Sequence, residues 1–329
     1  MPGIGSARDP PGTALAFPPM TNPFRFGVQI SNPRAGETWQ STARMIESLG
    51  YSSLLLPDHF GDQLAPVPAM ATAAEATTDL KVGALVFDND YRHPVVLAKE
   101  MATIDVLSHG RVEFGLGAGW MRSDYVEAGM TYDPPGVRVS RFEEAVTVTK
   151  GLFGGEPFSF SGDHYTIDNL RGTPKPVQPG GPKLLIGGGG RRVLGIAGRE
   201  ADIISINPNM VAGEVNAETA KDAMAEEIDR KLDWVRAGAG DRFDRIEIST
   251  TLFFAQVTDD VDTLAAGVGA MFGVEGADVL TCPIVAIGSV GQIVEAMQAR
   301  RERWGYSYIL CQSEAFEALA PVVAELAGT

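Results

Sequence analysis

From residue 24 to the end of the chain, short apolar segments alternate with longer segments of helical periodicity. A continuous apolar run of four to eight residues is typical of a strand covered on both faces, and apolar residues three to four positions apart indicate a helix. The strand-like segments are 24–30, 52–58, 80–87, 111–119, 183–188, 201–207, 246–257 and 307–311. Helices are predicted at about 38–49, 66–77, 94–109, 139–153, 191–199, 217–237, 260–280 and 289–304, and at the end of the chain.

Residues with special backbone roles support several of these boundaries. Thr38 is placed to cap a helix that Gly50 closes, and Pro94 is placed at the first position of another. Ser289, followed three residues later by Gln292, has the spacing of a capping box. These signals agree with the periodicity, so the order of elements does not rest on hydrophobicity alone.

Eight strands, most of them followed by a helix, predict an α/β fold: a closed (β/α)₈ TIM barrel. The segment 154–182 interrupts the repeat as an insertion after the fourth strand, and the alternation of Phe158, Phe160 and Tyr165 predicts a small hairpin within it. An open, doubly wound sheet is the alternative. In a barrel, the chemistry is expected at the carboxyl ends of the strands.

The chain is predicted to form one barrel domain, 23–329, after an N-terminal tail. Residues 1–22 are rich in Pro and Gly and lack periodicity, so this tail is expected to be disordered. It has no apolar run of the kind found in a signal peptide, and no stretch of the chain is long and apolar enough to span a bilayer. A cytoplasmic location is therefore expected.

Charge and cysteine content narrow the possible partners. A net charge of −15 argues against nucleic acid and against anionic membrane surfaces. The two cysteines, Cys282 and Cys311, provide neither a disulfide framework nor metal-ligand spacing, and both are expected to be reduced, partly buried thiols. A small-molecule substrate is the partner class that remains, and no metal site is predicted.

Several polar or glycine-rich positions directly follow predicted strands, where a barrel enzyme places its chemistry. In chain order they are Asp58 and His59, Asp88 and Asn89, Ala118 to Trp120, Gly187 to Arg191, and Asn207. His109 and Arg111 precede a strand and are expected at the opposite, structural end of the barrel. His93 is placed to cap the helix that begins at Pro94.

Asp58 and His59 form the candidate proton-transfer pair. An imidazole ordinarily titrates near neutrality and can therefore give or take a proton during catalysis. The adjacent carboxylate of Asp58 is expected to orient or charge the ring. In the alternative interpretation, the two residues form a loop that merely caps the next helix.

The run IGGGGRR, residues 186–192, is the strongest chemical signal in the chain. Successive glycines allow backbone N–H groups to approach an anion, and the following helix points its positive end at the same place. Arg191 and Arg192 add positive charge. The spacing is neither a dinucleotide fingerprint nor a Walker loop, but it suits a late phosphate site in a barrel. The alternative is a flexible turn.

GLGAGW, residues 115–120, is a candidate wall for a flat ring. Gly117, Ala118 and Gly119 leave room for a ring against the backbone, and Trp120 is placed to close the pocket. The alternative is close packing of strand and helix around a core tryptophan.

Together these segments resemble the bacterial luciferase-like flavin and deazaflavin oxidoreductases. The likeness covers nearly all of 24–329, and the pattern from Arg92 to Trp120 is highly specific. The segments that carry it are PDHF (57–60), YRHPVVLAKEMATIDVLSHGRVEFGLGAGW (91–120), RFEEAV (141–146) and LLIGGGGRR (184–192). The chain is most similar to an actinobacterial branch thought to use coenzyme F-420, an 8-hydroxy-5-deazaflavin.

The resemblance implies a role for each matching position. It places the proton-relay histidine at His59, with Asp58 near the deazaflavin ring. It implies a non-prolyl cis peptide among Ala84, Leu85 and Val86, propping the ring, without fixing which bond is cis. It places the phosphate at Gly188, Gly189, Gly190 and Arg191. Members of the family commonly form homodimers.

Two departures from the family pattern bear on the substrate. The glucose-6-phosphate dehydrogenases of this family have a Glu where this chain has Trp120, and a Trp where it has Gln63. Oxidation of a sugar phosphate is therefore not expected, and a less polar substrate is favoured.

Three functions remain open at this point. The first is hydride transfer between a deazaflavin and an organic substrate, with His59 as proton donor or acceptor and Trp120 beside it. The second is an FMN-dependent monooxygenase with the same barrel. The third is a non-catalytic barrel, which the persistence of Asp58, His59, GAGW and GGGGRR argues against.

Overall fold

The computed structural model describes residues 22–214 and 216–329. Apart from Asn22, the predicted disordered tail lies outside the described residues. Within the described part, the strands are β1 (Arg25–Gln29), β2 (Ser53–Leu56), β3 (Lys81–Ala84), β4 (Phe87–Asp88), β5 (Val112–Gly117), β6 (Pro157–Ser161), β7 (Thr166–Arg171), β8 (Lys183–Gly188), β9 (Ile203–Ile206), β10 (Glu247–Leu252), β11 (Phe254–Val257), β12 (Val285–Gly288) and β13 (Tyr306–Gln312).

Helices connect these strands and form an outer layer. In chain order they are α1 (Trp39–Ser48), α2 (Pro66–Ala76), α3 (Pro94–Leu107), α4 (Arg122–Glu127), α5 (Pro135–Phe153), α6 (Arg191–Glu200), α7 (Ala217–Lys221), α8 (Ala225–Ala239), α9 (Val261–Phe272), α10 (Gly276–Thr281), α11 (Val290–Trp304) and α12 (Phe316–Leu326). Short 3₁₀ turns cover Asn89–Tyr91 and Gly240–Arg245.

Eight parallel strands close into a ring. The order around it is β1, β2, β3, β5, β8, β9, β10 and β13, and pairing of β13 with β1 and of β3 with β5 completes the circle. All eight predicted strand segments contribute to this ring. The predicted TIM barrel is therefore confirmed, and the alternative of an open sheet is wrong.

Two apolar layers hold the barrel together. Side chains from strands that are not neighbours in the ring meet in one buried cluster, which shows that they point inward: Leu55, Leu185, Ile203, Tyr308 and Leu310. At the amino end, Arg25 pairs with Glu113 at 2.7 Å and with Glu247 at 2.6 Å. The larger cluster lies between the ring and its helices. The interior is thus filled below the carboxyl ends of the strands.

The local backbone signals are confirmed. Thr38 accepts a hydrogen bond from the Ser41 amide in a capping box, and Ser289 caps α11 in the same way with Gln292. The His93 side chain caps α3 by accepting from the Val95 amide. The hairpin expected in the insertion is β6–β7, with Tyr165 in its turn.

Several predicted boundaries differ from the structure. The predicted strand 246–257 is broken at Phe253, where the chain leaves the ring and β11 pairs with β12 outside it. Between the predicted helices 260–280 and 289–304, Val285–Gly288 forms β12, a strand that was not predicted. Helix α5 begins at Pro135, before the predicted 139, and α4 was not predicted. The predicted helices 217–237 and 260–280 are each two helices.

Other expectations concern cysteines, metals and membranes. Cys282 and Cys311 are both unpaired and buried, as predicted. Within 22–214 and 216–329, His, Cys, Asp and Glu side chains form no cluster that would hold a metal ion. None of the helices in this part of the chain combines the length and the apolar character needed to cross a bilayer.

Candidate functional site

A cavity of about 560 Å³ opens at the carboxyl ends of the barrel strands. This volume is within the range of pockets that hold a small molecule or cofactor. The predicted site residues that line it are Asp58, His59, Leu85, Val86, Gly117, Ala118, Gly119, Trp120 and Gly187–Gly190. Of the positions nominated at the strand ends, Asn89 and Arg191 do not line the cavity, whereas Arg192 does. Strands β2, β3, β5 and β8 therefore deliver the candidates to one place.

His59 lies in the loop after β2, with a quarter of its side chain exposed. Its Nδ1 lies 2.6 Å from Oδ2 of Asp124, a buried carboxylate on α4. Its ring meets the Trp120 indole edge to face, with centroids 5.7 Å apart. The imidazole is thus held on two sides and borders the cavity.

Asp58 does not orient His59, contrary to the expectation from sequence. Its carboxylate accepts two hydrogen bonds from Arg92, at 2.6 and 3.1 Å, and one from the Asp88 amide at 3.1 Å. Neighbouring side chains on an extended segment point in different directions, so adjacency in sequence did not bring the two groups together. The carboxylate that contacts His59 is Asp124.

Asp88, at the end of β4, is a second buried carboxyl group that lines the cavity. It accepts hydrogen bonds from the Asp90 amide and from the Tyr125 hydroxyl. Burial, helped by the negative charges of Asp90 and Asp58, raises the pKa of Asp88 to about 7. The carboxyl group therefore changes its charge near neutral pH.

The glycine run divides into positions that packing requires and positions that open onto the cavity. A Cβ at Gly189 would lie 2.5 Å from the Asn209 amide nitrogen, and one at Gly188 would lie 2.6 Å from Val193. At Gly190 the nearest atom would be 3.9 Å away, and at Gly187 it would be 3.3 Å away. Among the described residues no side chain caps α6, whose N-terminal turn lines the cavity, so the N–H groups of that turn can bind an anion.

Three arginines lie around this helix end. Arg138 is buried against the cavity and donates to the Gly119 carbonyl at 2.6 Å. Arg192 pairs with Glu143 at 3.1 Å. Arg191 is exposed and makes no hydrogen bond or ion pair with the part of the chain that the structure describes. The surroundings of the glycine run are therefore locally positive in a strongly acidic chain.

The floor of the cavity lies against β3 and β5. The Leu85–Val86 peptide bond is cis, which confirms the non-prolyl cis peptide expected among residues 84–86. The Gln29 amide donates to the Leu85 carbonyl at 2.6 Å. A Cβ at Gly117 would lie 2.6 Å from Val86, so close packing accounts for this glycine.

Sequence reasoning missed Asp124, Arg138 and Gln29. Asp124 lies on a six-residue helix, too short to produce a periodic pattern, and Arg138 lies in a first turn that the predicted helix 139–153 did not include. Gln29 ends β1 with its side chain inside the barrel. The rule that chemistry follows the strand ends would have found Gln29, since it is the last residue of its strand.

Comparison with known proteins identifies the family. The profile of the luciferase-like monooxygenases matches residues 21–268. The chain belongs to the luciferase-like monooxygenase family. This match spans the loop with His59, the GAGW segment and the glycine run.

Relatives of this family member use two kinds of cofactor. An FMNH(2)-dependent dimethylsulfone monooxygenase of Pseudomonas fluorescens is 34% identical over 42% of this chain and 37% of its own length. A Pseudomonas putida enzyme of the same name is matched over 59% of its length. An F-420-dependent glucose-6-phosphate dehydrogenase of Nakamurella multipartita is 26% identical over 73% of this chain and 69% of its own length.

Solved structures share the fold. A coenzyme F-420-dependent tetrahydromethanopterin reductase from Methanopyrus kandleri superposes with a TM-score of 0.72, at 16% identity, over 92% of this chain and 98% of the other. An F-420-dependent secondary alcohol dehydrogenase gives the same TM-score at 18% identity, covering 92% and 99%. At these identities the likeness concerns architecture alone.

Proposed function

We propose that the chain is an oxidoreductase that transfers a hydride between coenzyme F-420, an 8-hydroxy-5-deazaflavin, and an organic substrate. One observation carries the proposal: His59 and the glycine run, 127 positions or more apart in sequence, border the same cavity. The F-420-dependent relative that matches 73% of the chain supports the choice of cofactor.

The cavity fits a flat ring that carries an anionic tail. Gly190 leaves space that a side chain would fill, next to the N–H groups of the first turn of α6. The Asn207 Oδ1 atom is buried at the cavity wall without a hydrogen-bond partner in the described chain. A buried, unpartnered polar atom is normally satisfied by a ligand or by water. Leu85, Val86 and Gly117 provide an apolar floor for the ring.

The proposed roles follow from position. The backbone of Gly188–Gly190 would hold the phosphate, with Arg191 and Arg192 contributing charge. The deazaflavin, when bound, supplies or accepts the hydride at its C5 position. His59 would supply or remove the accompanying proton through the ring nitrogen that faces the cavity. Trp120 would limit the position of the imidazole and shield it from water.

An FMN-dependent monooxygenase is the second candidate. The dimethylsulfone monooxygenases favour it, because they are 34% and 31% identical to this chain over their matched segments. The two candidates differ in oxygen chemistry: reduced FMN consumes oxygen, whereas a reduced deazaflavin reacts with it poorly. Oxygen uptake by the protein with each reduced cofactor therefore separates them.

The test of the proposal is a titration of the purified protein with F-420 and with FMN, followed by quenching of cofactor fluorescence. We expect saturable binding of F-420, tighter than that of FMN. Arg191→Ala should weaken binding of F-420 and reduce the salt dependence of that binding. Binding of neither cofactor would revive the non-catalytic barrel, and tighter binding of FMN would favour the monooxygenase.

The cavity wall bears on the substrate as well. Trp120, Val139, Met210 and Phe253 provide mainly apolar surface above the floor. Gln63, in the position where the sugar-phosphate enzymes have Trp, does not line the cavity and donates instead to the Pro57 carbonyl at 2.8 Å. We propose a substrate less polar than a sugar phosphate.

A further inference from the structure

The buried carboxylate of Asp124 is shared between two side chains. Its Oδ2 atom lies 2.6 Å from His59 Nδ1 and accepts a hydrogen bond from the Tyr91 hydroxyl at 3.0 Å. Its side chain is 7% exposed. We propose that Asp124, supported by Tyr91, is the positioning residue that fixes the tautomer and orientation of His59.

The hydrogen on the His59 ring can be assigned from these partners. Burial, together with the carboxylates of Asp88 and Asp124, raises the pKa of Tyr91, so its hydroxyl keeps the proton that it donates to Asp124. The Asp124 oxygen is therefore an acceptor, and the short contact to Nδ1 requires that Nδ1 carry a hydrogen. Nε2 is then the nitrogen free to exchange a proton with a bound molecule.

Neighbouring groups rule out the other possible partners of the ring. The Asp58 carboxylate is engaged by Arg92 and by the Asp88 amide. The Trp120 indole contacts the ring edge to face and can donate only through its own N–H. In the described residues, Asp124 is thus the carboxylate that holds His59, and it reaches the ring from a different element, α4.

The consequence for the reaction depends on the proposed function. If Asp124 holds Nδ1, that nitrogen carries the hydrogen of the neutral ring. Nε2, which then has no hydrogen, faces the cavity in a fixed orientation. The proton that accompanies the hydride then leaves from, or arrives at, that nitrogen. The tautomer assignment rests on the contacts of Asp124 with His59 and Tyr91 and holds whichever cofactor is bound.

The experiment is nitrogen-15 NMR of the histidine rings in the full-length protein without cofactor, at a pH where neutral imidazole predominates. The chain has four histidines, and His59→Gln identifies the resonances of interest. The variants are Asp124→Asn, Asp124→Ala and Tyr91→Phe. Glu127→Gln, on the exposed side of the same helix, is the matched control.

We expect the wild type and Glu127→Gln to show a protonated Nδ1 at His59. Asp124→Asn and Asp124→Ala should mix the tautomers, and Tyr91→Phe should do so to a smaller extent. An Nε2-protonated ring in the wild type, or a pattern that both Asp124 variants leave unchanged, would overturn the assignment. Circular dichroism shows whether each variant is folded. If Asp124→Ala is unfolded, Asp124→Asn still tests the assignment, because its side chain is isosteric with that of Asp124.

Turnover and F-420 binding of the same variants separate this inference from the proposed function. In assays with a turned-over substrate, Asp124→Asn should lower kcat about tenfold or more, but by less than the whole contribution of a placed proton donor, which is roughly 10²–10⁴-fold. F-420 affinity should be unchanged. If the wild type bound no F-420 yet showed the expected tautomer, the proposed function would fail and the positioning role would stand.

Discussion

The acidic side chains around the cavity differ in what they can do because each has different neighbours. Asp58 is neutralised by Arg92, and Asp124 holds an imidazole. Asp88 has no cation within ion-pair distance in the described chain and shares the Tyr125 hydroxyl with Asp90. One site thus contains a paired carboxylate, a positioning carboxylate and a carboxyl group whose charge depends on pH.

Replacement of His59 tests its chemical role. His59→Ala should lower turnover by roughly 10²–10⁴-fold, because a placed proton donor contributes about that much. Binding of F-420 should change little, since β3 and β5 separate β2, which precedes His59, from β8, which precedes the glycine run. Steady-state assays with reduced F-420 and a panel of small ketones and enones provide the rates. His164→Ala, in the β6–β7 turn, is the control. Full retained activity in His59→Ala would remove it from the mechanism.

The raised pKa of Asp88 predicts a pH-dependent cost to stability. An aspartate in the unfolded chain titrates near 3.9, whereas folded Asp88 titrates at about 7. Between these values the folded state binds a proton that the unfolded state has released, so the stability contributed by this group falls as the pH rises. Above pH 7 the loss is complete.

Asp88→Asn removes this titration while keeping the hydrogen-bonding shape. Relative to the wild type, the variant should gain up to about 4 kcal/mol in the free energy of unfolding between pH 4 and pH 8, at about 1.4 kcal/mol per unit of pKa difference. Urea unfolding at several pH values measures it. Asp163→Asn, at an exposed carboxylate, should show no such trend. If the difference in unfolding free energy between Asp88→Asn and the wild type did not change from pH 4 to pH 8, Asp88 would be ionised over that whole range.

At the scale of elements, the eight ring strands and the longer helices were predictable, whereas α4 and β12 were not. Each of the eight barrel strands lies in an apolar run of its own, which is why the sequence predicts the ring. α4 has six residues, too few to establish a helical period, and β12 pairs with β11 outside the ring. Phe253, between β10 and β11, is half exposed. Because it is hydrophobic, the sequence predicts one continuous strand over 246–257 where the structure has two.

The same limits explain the outcome at the site. The GAGW and glycine segments follow strands and were found, whereas Asp124 approaches His59 from 65 positions away in sequence. A contact of that kind depends on the packing of α4 over the barrel. Nothing in the local pattern around Asp124 marks it as a partner of His59.

Two glycines in the turn from β8 into α6 are expected to respond differently to replacement by alanine. Gly190→Ala should fold normally, because the nearest atom to its Cβ would be 3.9 Å away, but it should weaken F-420 binding by about tenfold or more, that is by at least ~1.4 kcal/mol. Gly189→Ala should instead destabilise the fold by about 1–3 kcal/mol, since its Cβ would collide with the backbone of Asn207–Asn209.

Thermal unfolding and cofactor titration of both variants distinguish the two effects. Unchanged affinity in a folded Gly190→Ala variant would show that the anionic group lies elsewhere in the cavity. A fully stable Gly189→Ala variant would show that the β9–α7 loop can move away from the glycine run.

At the scale of the whole molecule, the amino end of the barrel is structural, whereas the carboxyl end contains the candidate site. The amino end carries the ion pairs of Arg25 with Glu113 and Glu247, which are largely buried and structural. The carboxyl end carries the cavity, the uncapped helix α6 and the arginines around it. A chain with a net charge of −15 thus keeps a locally positive region at its carboxyl end, where the proposed anionic cofactor would bind.

A crystal structure of the protein with bound F-420 tests the central claim most directly. The account predicts that the tricyclic ring lies against Leu85–Val86 and that the phosphate is bound by the amides of Gly188–Gly190. It also predicts that His59 Nε2 lies close enough to C5 to exchange a proton with a substrate bound above the ring. A phosphate bound away from α6, or a ring on the far side of the barrel from His59, would contradict it.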